Sequence, residues 1–527
     1  MTGDLRTLVV TAAASGLLAA GSPVAAADRT WTEAKSTHFV VVSDAGEKAA
    51  RNTLWQFEQF RIAVKSAWPW ASVDLDRPIL VLLARDEATM RSLTPQFWEQ
   101  KNSVRPGAVF ETGVDRYYVA LRADEQVNDR QGQVNPYFTA YWSYVTAVLR
   151  TGRSSDLPLW LAMGIAEMMS NTIVRDTHVE IGRVPPWYVE RLRTGSKVAW
   201  EDVLAVTDES PLYRDARRRP ALDAQAWVVV HYFLFADKGA HQDRLNRFIE
   251  LVLQGRPPAA AFELTLGPVQ TIARNVAVYA AGQLFNYTRV KIDTKVRQDE
   301  FSARTLTPVQ AAAARAGLHA AMRRPAEARA ELTAVRGAEP DPALFEVEGV
   351  LSDIEQKPDD ARAAYAKAVE LGSTNFLAFY RAATLMIGAN ADADAFAAAD
   401  RLLKRAVALN DRFAASYAAL GETAMRLGRG ADAVAVAKHA VALDPGSVSN
   451  RLSLARVFWG LSQKDDALRQ AREALAIART EDEKHAAQQL IDFMARPVSL
   501  QLPAWPIAAS SRRGSRRKPP RRSSTIR

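Results

Sequence analysis

The sequence predicts an α+β domain followed by an all-α superhelix of helical repeats. Three observations predict it. Short β-rich runs alternate with helical periodicity over residues 36–125 and then give way to helices. Small residues return at Ala328, Ala361, Ala399, Ala433 and Ala467, at spacings of 33, 38, 34 and 34. The chain has 527 residues, 48% of them hydrophobic and 24% charged, which is enough apolar material for more than one packed core.

Taken in order, residues 1–27 read as a secretory signal peptide. Leu8 to Gly21 is uncharged and apolar, and Ala25-Ala26-Ala27 offers the small side chains that a signal peptidase needs, with cleavage before Asp28. A secreted or periplasmic location is therefore expected. A bilayer span needs about 20 apolar residues, so no transmembrane segment is expected. His38–Val42 reads as a strand, residues 46–67 as a helix with Leu54, Phe57 and Phe60 on one face, and Pro78–Leu83 as a second strand. Ala108–Phe110 and Tyr117–Leu121 read as a hairpin. Helices are expected at Tyr137–Arg150 and Leu157–Ser170, a strand pair within Ile173–Val184, and helices at 222–236, 241–254 and 268–283. This block, residues 35–292, ends in a short charged linker, Lys291–Leu306.

The repeat block spans 305–495. The string Ala406-Val407-Ala408-Leu409-Asn410 returns 34 residues later as Ala440-Val441-Ala442-Leu443-Asp444. Two helices approach closely only where side chains are small, and Tyr365, Tyr417, Leu420, Leu454 and Phe458 fill the space between such points. Five units fit: 309–341, 342–375, 376–413, 414–447 and 448–481, with a short insertion in Gly388–Ala395 and a capping helix at 482–494. The pattern resembles the tetratricopeptide repeat (TPR) family, most closely in the fourth unit, where Tyr417, Leu420, Gly421, Ala433, Ala440 and Pro445 fall on the family's signature positions. The resemblance implies a concave groove lined by the first helix of each pair and a protein or peptide partner held there, with Glu422, Met425, Arg426, Arg456 and Trp459 as candidate contacts. Ala418 and Glu422 stand where some members carry the polar grip for a terminal carboxylate, so that use is not expected.

The informative part of the first block is its helix pair. Tyr141-Trp142-Ser143-Tyr144-Val145-Thr146 precedes Trp160-Leu161-Ala162-Met163-Gly164-Ile165-Ala166-Glu167. This pair resembles the two zinc-site helices of gluzincin (peptidase MA-like) metallopeptidases, and the resemblance implies a zincin-like fold. In that family two histidines one turn apart bind zinc, a glutamate between them is the general base, and a glutamate on the next helix completes the shell. Here Trp142 and Thr146 stand at the histidine places, Ser143 at the base and Met163 at the third ligand, while Tyr141, Tyr144, Leu149, Pro158, Trp160, Gly164, Ala166 and Glu167 keep the frame. Such side chains cannot repay the hydration energy of a divalent ion. The implied protein is a pseudoenzyme with no catalytic residue, no metal and no cofactor.

Composition narrows the alternatives. With no cysteine, disulfides, thiolate metal sites and thiol nucleophiles are excluded. None of the seven histidines stands four residues from another, so no helical zinc pair can be drawn. Glu167 with His231 remains as a candidate acid/base pair for a hydrolase with a rearranged, non-zinc site. Net charge is +9, but the tail from Arg512 to Arg527 carries eight basic residues and no acid, leaving +1 elsewhere. No nucleic-acid partner is expected from such a body. Residues 496–527 read as a disordered basic tail, with weak contact to anionic surfaces, and so cell-envelope attachment, as its alternative use.

Overall fold

The computed structural model describes residues 30–99, 105–125, 134–150, 156–195, 197–282, 284–388 and 391–496. Residues 1–27, read above as a signal peptide, and nearly all of the segment read as a basic tail lie outside these residues.

Among the described residues nine strands form two sheets. They are β1 Thr32–Lys35, β2 Phe39–Ser43, β3 Ile79–Ala84, β4 Ala108–Thr112, β5 Tyr117–Arg122, β6 Ile173–Val174, β7 His178–Ile181, β8 Thr288–Lys291 and β9 Ser302–Thr305. The larger sheet has the order β4-β5-β3-β2-β1-β9, parallel along β2, β3 and β5 and antiparallel elsewhere. β6, β7 and β8 form a small antiparallel sheet. The α-helices described with them are α1 Glu47–Ala67, α2 Glu87–Leu93, α3 Gln96–Glu99, α4 Phe138–Leu149, α5 Leu159–Ser170, α6 Pro186–Thr194, α7 Trp200–Leu204, α8 Pro211–Arg214, α9 Arg219–Phe235, α10 Gln242–Leu253, α11 Pro258–Thr265 and α12 Val269–Ala280.

The central strand β3 is apolar and buried along its whole length because both faces of the sheet are covered. Successive side chains point to opposite faces. Ile79, Val81 and Leu83 join Leu54, Phe57 and Phe60 of α1 in the main core. Leu80, Leu82 and Ala84 join Met90 and Leu93 of α2 and, from beyond β9, Leu306, Ala311 and Leu318.

The remaining helices pair in sequence: α13 Pro308–Ala321 with α14 Pro325–Ala334, α15 Pro342–Ile354 with α16 Pro358–Glu370, α17 Phe376–Met386 with α18 Ala393–Leu409, α19 Ala414–Arg426 with α20 Gly430–Leu443, and α21 Val448–Gly460 with α22 Lys464–Ile477. The last, α23 Glu481–Ala495, closes the stack. Most of their starts are marked by side-chain caps, with full capping boxes at Thr307 and Thr480, or by proline in the first turn, as in α14 and α16; α19, α20 and α22 start with neither. Ala328, Ala361, Ala399, Ala433 and Ala467 are all fully buried, as the repeat logic requires.

The segment expected as a linker is built into both sheets. β8 pairs with β7, β9 pairs with β1, and the Leu306 N–H donates to the Trp31 carbonyl at 2.9 Å. Thr288–Lys291 and Ser302–Thr305 are short and polar, so neither carries a strand signal; pairing with a distant partner makes them strands. Side chains extend the attachment. Asn375 donates to Asp115 at 2.9 Å, Arg116 lies 3.7 Å from Glu346, Asn410 donates to the Asp76 carbonyl at 2.7 Å, and Arg412 donates to the Asp74 carbonyl at 3.0 Å.

Candidate functional site

α4 and α5 pack side by side, and α9 lies against α5. Gly164 permits the second contact: a Cβ there would run into the Ala226 carbonyl and the Val230 side chain. Trp160 is buried against Phe233, Phe248 and Phe262. The pair is thus held rigidly from behind.

In front of it lies a cleft of about 360 Å³. Phe138, Trp142, Trp187 and Tyr188 give it an aromatic wall, and Glu167, Asp223, Arg191 and Arg219 supply its charges. Glu167 is 4% exposed. The Trp142 indole N–H donates to one of its oxygens at 2.6 Å, and the Tyr188 hydroxyl donates to the other. Burial raises Glu167 above the ordinary carboxylate range, helped by the nearby Asp223 carboxylate and opposed by the Tyr188 and Trp142 hydrogen bonds. Asp223 is itself raised by burial, although Arg219 holds it at 2.6 Å and opposes the shift. Tyr188 is pushed well above the usual phenol range by burial and by Glu167.

The expected site residues divide accordingly. Trp142 meets Glu167 in the cleft. Met163 is buried in the core, while Ser143 and Thr146 are half-buried on α4, and none of these three lines the cleft. Glu167 and His231 are held by different partners. His231 is fully buried between Trp227 and Phe235, at ring-centroid distances of 4.5 and 4.4 Å. Its Nδ1 bonds the Tyr279 hydroxyl at 2.8 Å and its Nε2 the Asn286 carbonyl at 2.7 Å. Burial lowers it to about 4, so it is neutral at pH 7 and serves as a packed, hydrogen-bonded core side chain. Among the described residues no three of His, Asp and Glu come together to hold a metal ion.

Sequence reasoning missed Trp187, Tyr188 and Arg191 on α6, and Arg219 and Asp223 on α9. The last two stand at i,i+4, the spacing of a helical ion pair, and that signal was available. α6 starts at the second of two prolines, Pro185 and Pro186, and is too short for a firm periodicity.

In the repeat stack, Arg456 donates twice to one oxygen of Glu422, at 2.9 and 2.6 Å, tying α21 to α19. Arg426 lies over the Phe396 ring at 5.2 Å, reaching back to α18. Met425 and Trp459 are half-buried against the core of the last repeats, and the Lys464 ammonium sits 5.7 Å above the Trp459 ring.

No family model matches the chain, and no curated protein matches it. Solved structures do. YrrB, described as a TPR protein with an unusual peptide-binding site, is 18% identical over 34% of this chain and 92% of its own, with a TM-score of 0.29. TTC0263, a thermophilic TPR protein of Thermus thermophilus, is 19% identical over 35% of this chain and 97% of its own, with a TM-score of 0.28. Yeast Tom70 is 13% identical over 68% of this chain and 86% of its own, with a TM-score of 0.23. The structural neighbours include TPR proteins, and α13–α23 form a TPR-like helical-repeat stack: five consecutive helix pairs, buried small residues at the crossing points, and a closing helix.

Proposed function

We propose that the protein is an exported, non-catalytic interaction scaffold. Its α+β domain is a gluzincin-like fold without the metal chemistry, and its TPR stack holds a protein or peptide segment across α19 and α21. The observation that carries the reading is the bond from Trp142 to Glu167. An indole stands where the resemblance places a zinc ligand, and it spends its N–H on the adjacent buried carboxylate. That arrangement satisfies Glu167 with a neutral donor and does not ask for a cation. Export rests on the signal read in residues 1–27.

The test uses the mature chain, residues 28–527, purified after growth with added zinc. The expected result is no bound zinc and no cleavage of a quenched peptide library. A displayed peptide library should yield binders that weaken at least tenfold in Arg456→Ala combined with Trp459→Ala. Stoichiometric zinc with peptide hydrolysis would overturn the pseudoenzyme reading. Binders indifferent to both substitutions would move the partner site elsewhere.

A further inference from the structure

We infer that the cleft bounded by α4, α5, α6 and α9 binds a carboxylate carried on an aromatic or apolar body. Three observations point there. The first is shape: about 360 Å³ lies in the lower range of small-ligand pockets. The second is the wall. Trp187 is 41% exposed at the cleft, with Phe138 at 5.6 Å and Tyr188 at 6.1 Å between ring centroids. A large aromatic left open to water between two others is a stacking surface without a partner.

The third observation is the charge. Arg219 is taken by Asp223 at 2.6 Å. Both oxygens of Glu167 are taken by Trp142 and Tyr188, and burial favours its neutral form. Arg191 is left. It lines the cleft, its charge is felt by the Asp223 carboxylate, and its guanidinium makes no hydrogen bond or close ion pair among the described residues. The surplus is therefore positive and sits beside aromatic faces. A planar carboxylate matches a guanidinium fork, and an apolar group attached to it matches the wall. A cationic ligand would face Arg191 and Arg219 together. A sugar would stack on the rings but leave the guanidinium without an anion.

This chemistry has two sources, a free aromatic acid or the C-terminal residue of a peptide, and one experiment separates them. Calorimetry on the mature chain would compare N-acetylphenylalanine, its amide, and a hexapeptide ending in phenylalanine. The acid is expected to bind at least tenfold more tightly than the amide. Arg191→Gln should cost at least tenfold, Arg191→Lys less, and Trp187→Ala should weaken both acids, with thermal midpoints unchanged in all three variants. A hexapeptide tenfold tighter than the amino acid identifies a peptide terminus; equal affinity identifies the free acid. Equal binding of acid and amide, no binding of either acid at millimolar concentration, or an unaffected Arg191→Gln protein overturns the proposal. Binding should be unchanged in Arg456→Ala, so failure of the groove reading and failure of this one are separate results.

Discussion

In the repeat stack, charge between helices meets opposite charge. Arg315 pairs with Glu331 at 2.7 Å across α13 and α14, Arg381 with Asp353 at 2.5 Å across α17 and α15, and Arg456 with Glu422 at 2.6 Å across α21 and α19. In the cleft of the α+β domain, a buried carboxylate is covered by two neutral donors, and a guanidinium has no close partner among the described residues. The stack's pairs fix helices relative to one another. In the cleft only Arg191 retains unmet bonding capacity among the described residues, which is the condition for binding something else. The same chain thus uses ion pairs for register in one region and leaves them incomplete in another.

The largest expected effect tests how tightly each region is packed around a helical glycine. A Cβ at Gly164 would collide with the Ala226 backbone of α9, which a rotamer change cannot move aside. Gly164→Ala should destabilise by about 2–3 kcal/mol. At Gly421 the nearest atom to a new Cβ is the Ala437 methyl at 3.0 Å. Alanine's better helix propensity, about 1 kcal/mol, should offset most of that crowding and hold Gly421→Ala within about 1 kcal/mol of the parent. Urea melts of the two variants check the difference, and equal losses would break the contrast.

The second effect is smaller and depends on pH. Because burial raises Glu167 in the folded state, its protonated form is the one that folding favours. Its contribution is fully present below the unfolded carboxylate value. It is lost as pH rises from there through the raised folded value, at about 1.4 kcal/mol for each pH step of one between the two values. Glu167→Gln removes that dependence. Its stability relative to the parent should therefore climb between pH 5 and pH 8. Urea melts at both values measure the slope, and a flat or falling difference would show that Glu167 is ionised in the folded protein.

The repeat stack was legible because its contacts recur within one repeat length. The five small residues at the crossing points had to be small, and each is fully buried. The insertion read in Gly388–Ala395 overlaps the first turn of α18, which starts at Ala393, and its residues 389–390 lie outside the described residues. The α+β domain hid what depends on distant partners. Glu33 and Arg304, 271 residues apart, form an ion pair at 2.8 Å across β1 and β9, and nothing local in either strand announces it. The helix pair made Trp142 and Glu167 visible as positions. Their hydrogen bond was not visible, and Tyr188 and Arg191 reach the cleft from a short helix whose pattern is too brief to read.

The third prediction concerns the seam between the two regions. Arg116 bonds Asp115 at 2.6 Å and lies 3.7 Å from Glu346, whose own partners are Ser373 at 2.6 Å and Asn375 at 3.1 Å. Arg116→Ala leaves two carboxylates facing each other at a largely buried junction. With the arginine side chain 28% exposed, the loss should be about 1–2 kcal/mol, less than for a fully buried pair. If the seam joins the regions into one cooperative unit, a single unfolding transition in calorimetry should split or broaden. A sharp, unshifted transition would mean that pairing of β9 with β1 suffices.

The smallest stability effect sharpens the comparison most. Arg456 and Glu422 are 24% and 34% exposed, and pairs so placed contribute little beyond about 1 kcal/mol. Arg456→Ala should therefore leave the urea midpoint nearly unchanged. The substitution frees the Glu422 carboxylate on α19 and reverses the charge balance of that face. A partner recognised there should respond far more strongly than the fold does. A peptide binder selected on the parent that loses at least tenfold in affinity, with the midpoint unmoved, would show that this ion pair belongs to recognition. Equal changes in both would place Arg456 with Arg315 and Arg381, as a pair that only sets the helices in register.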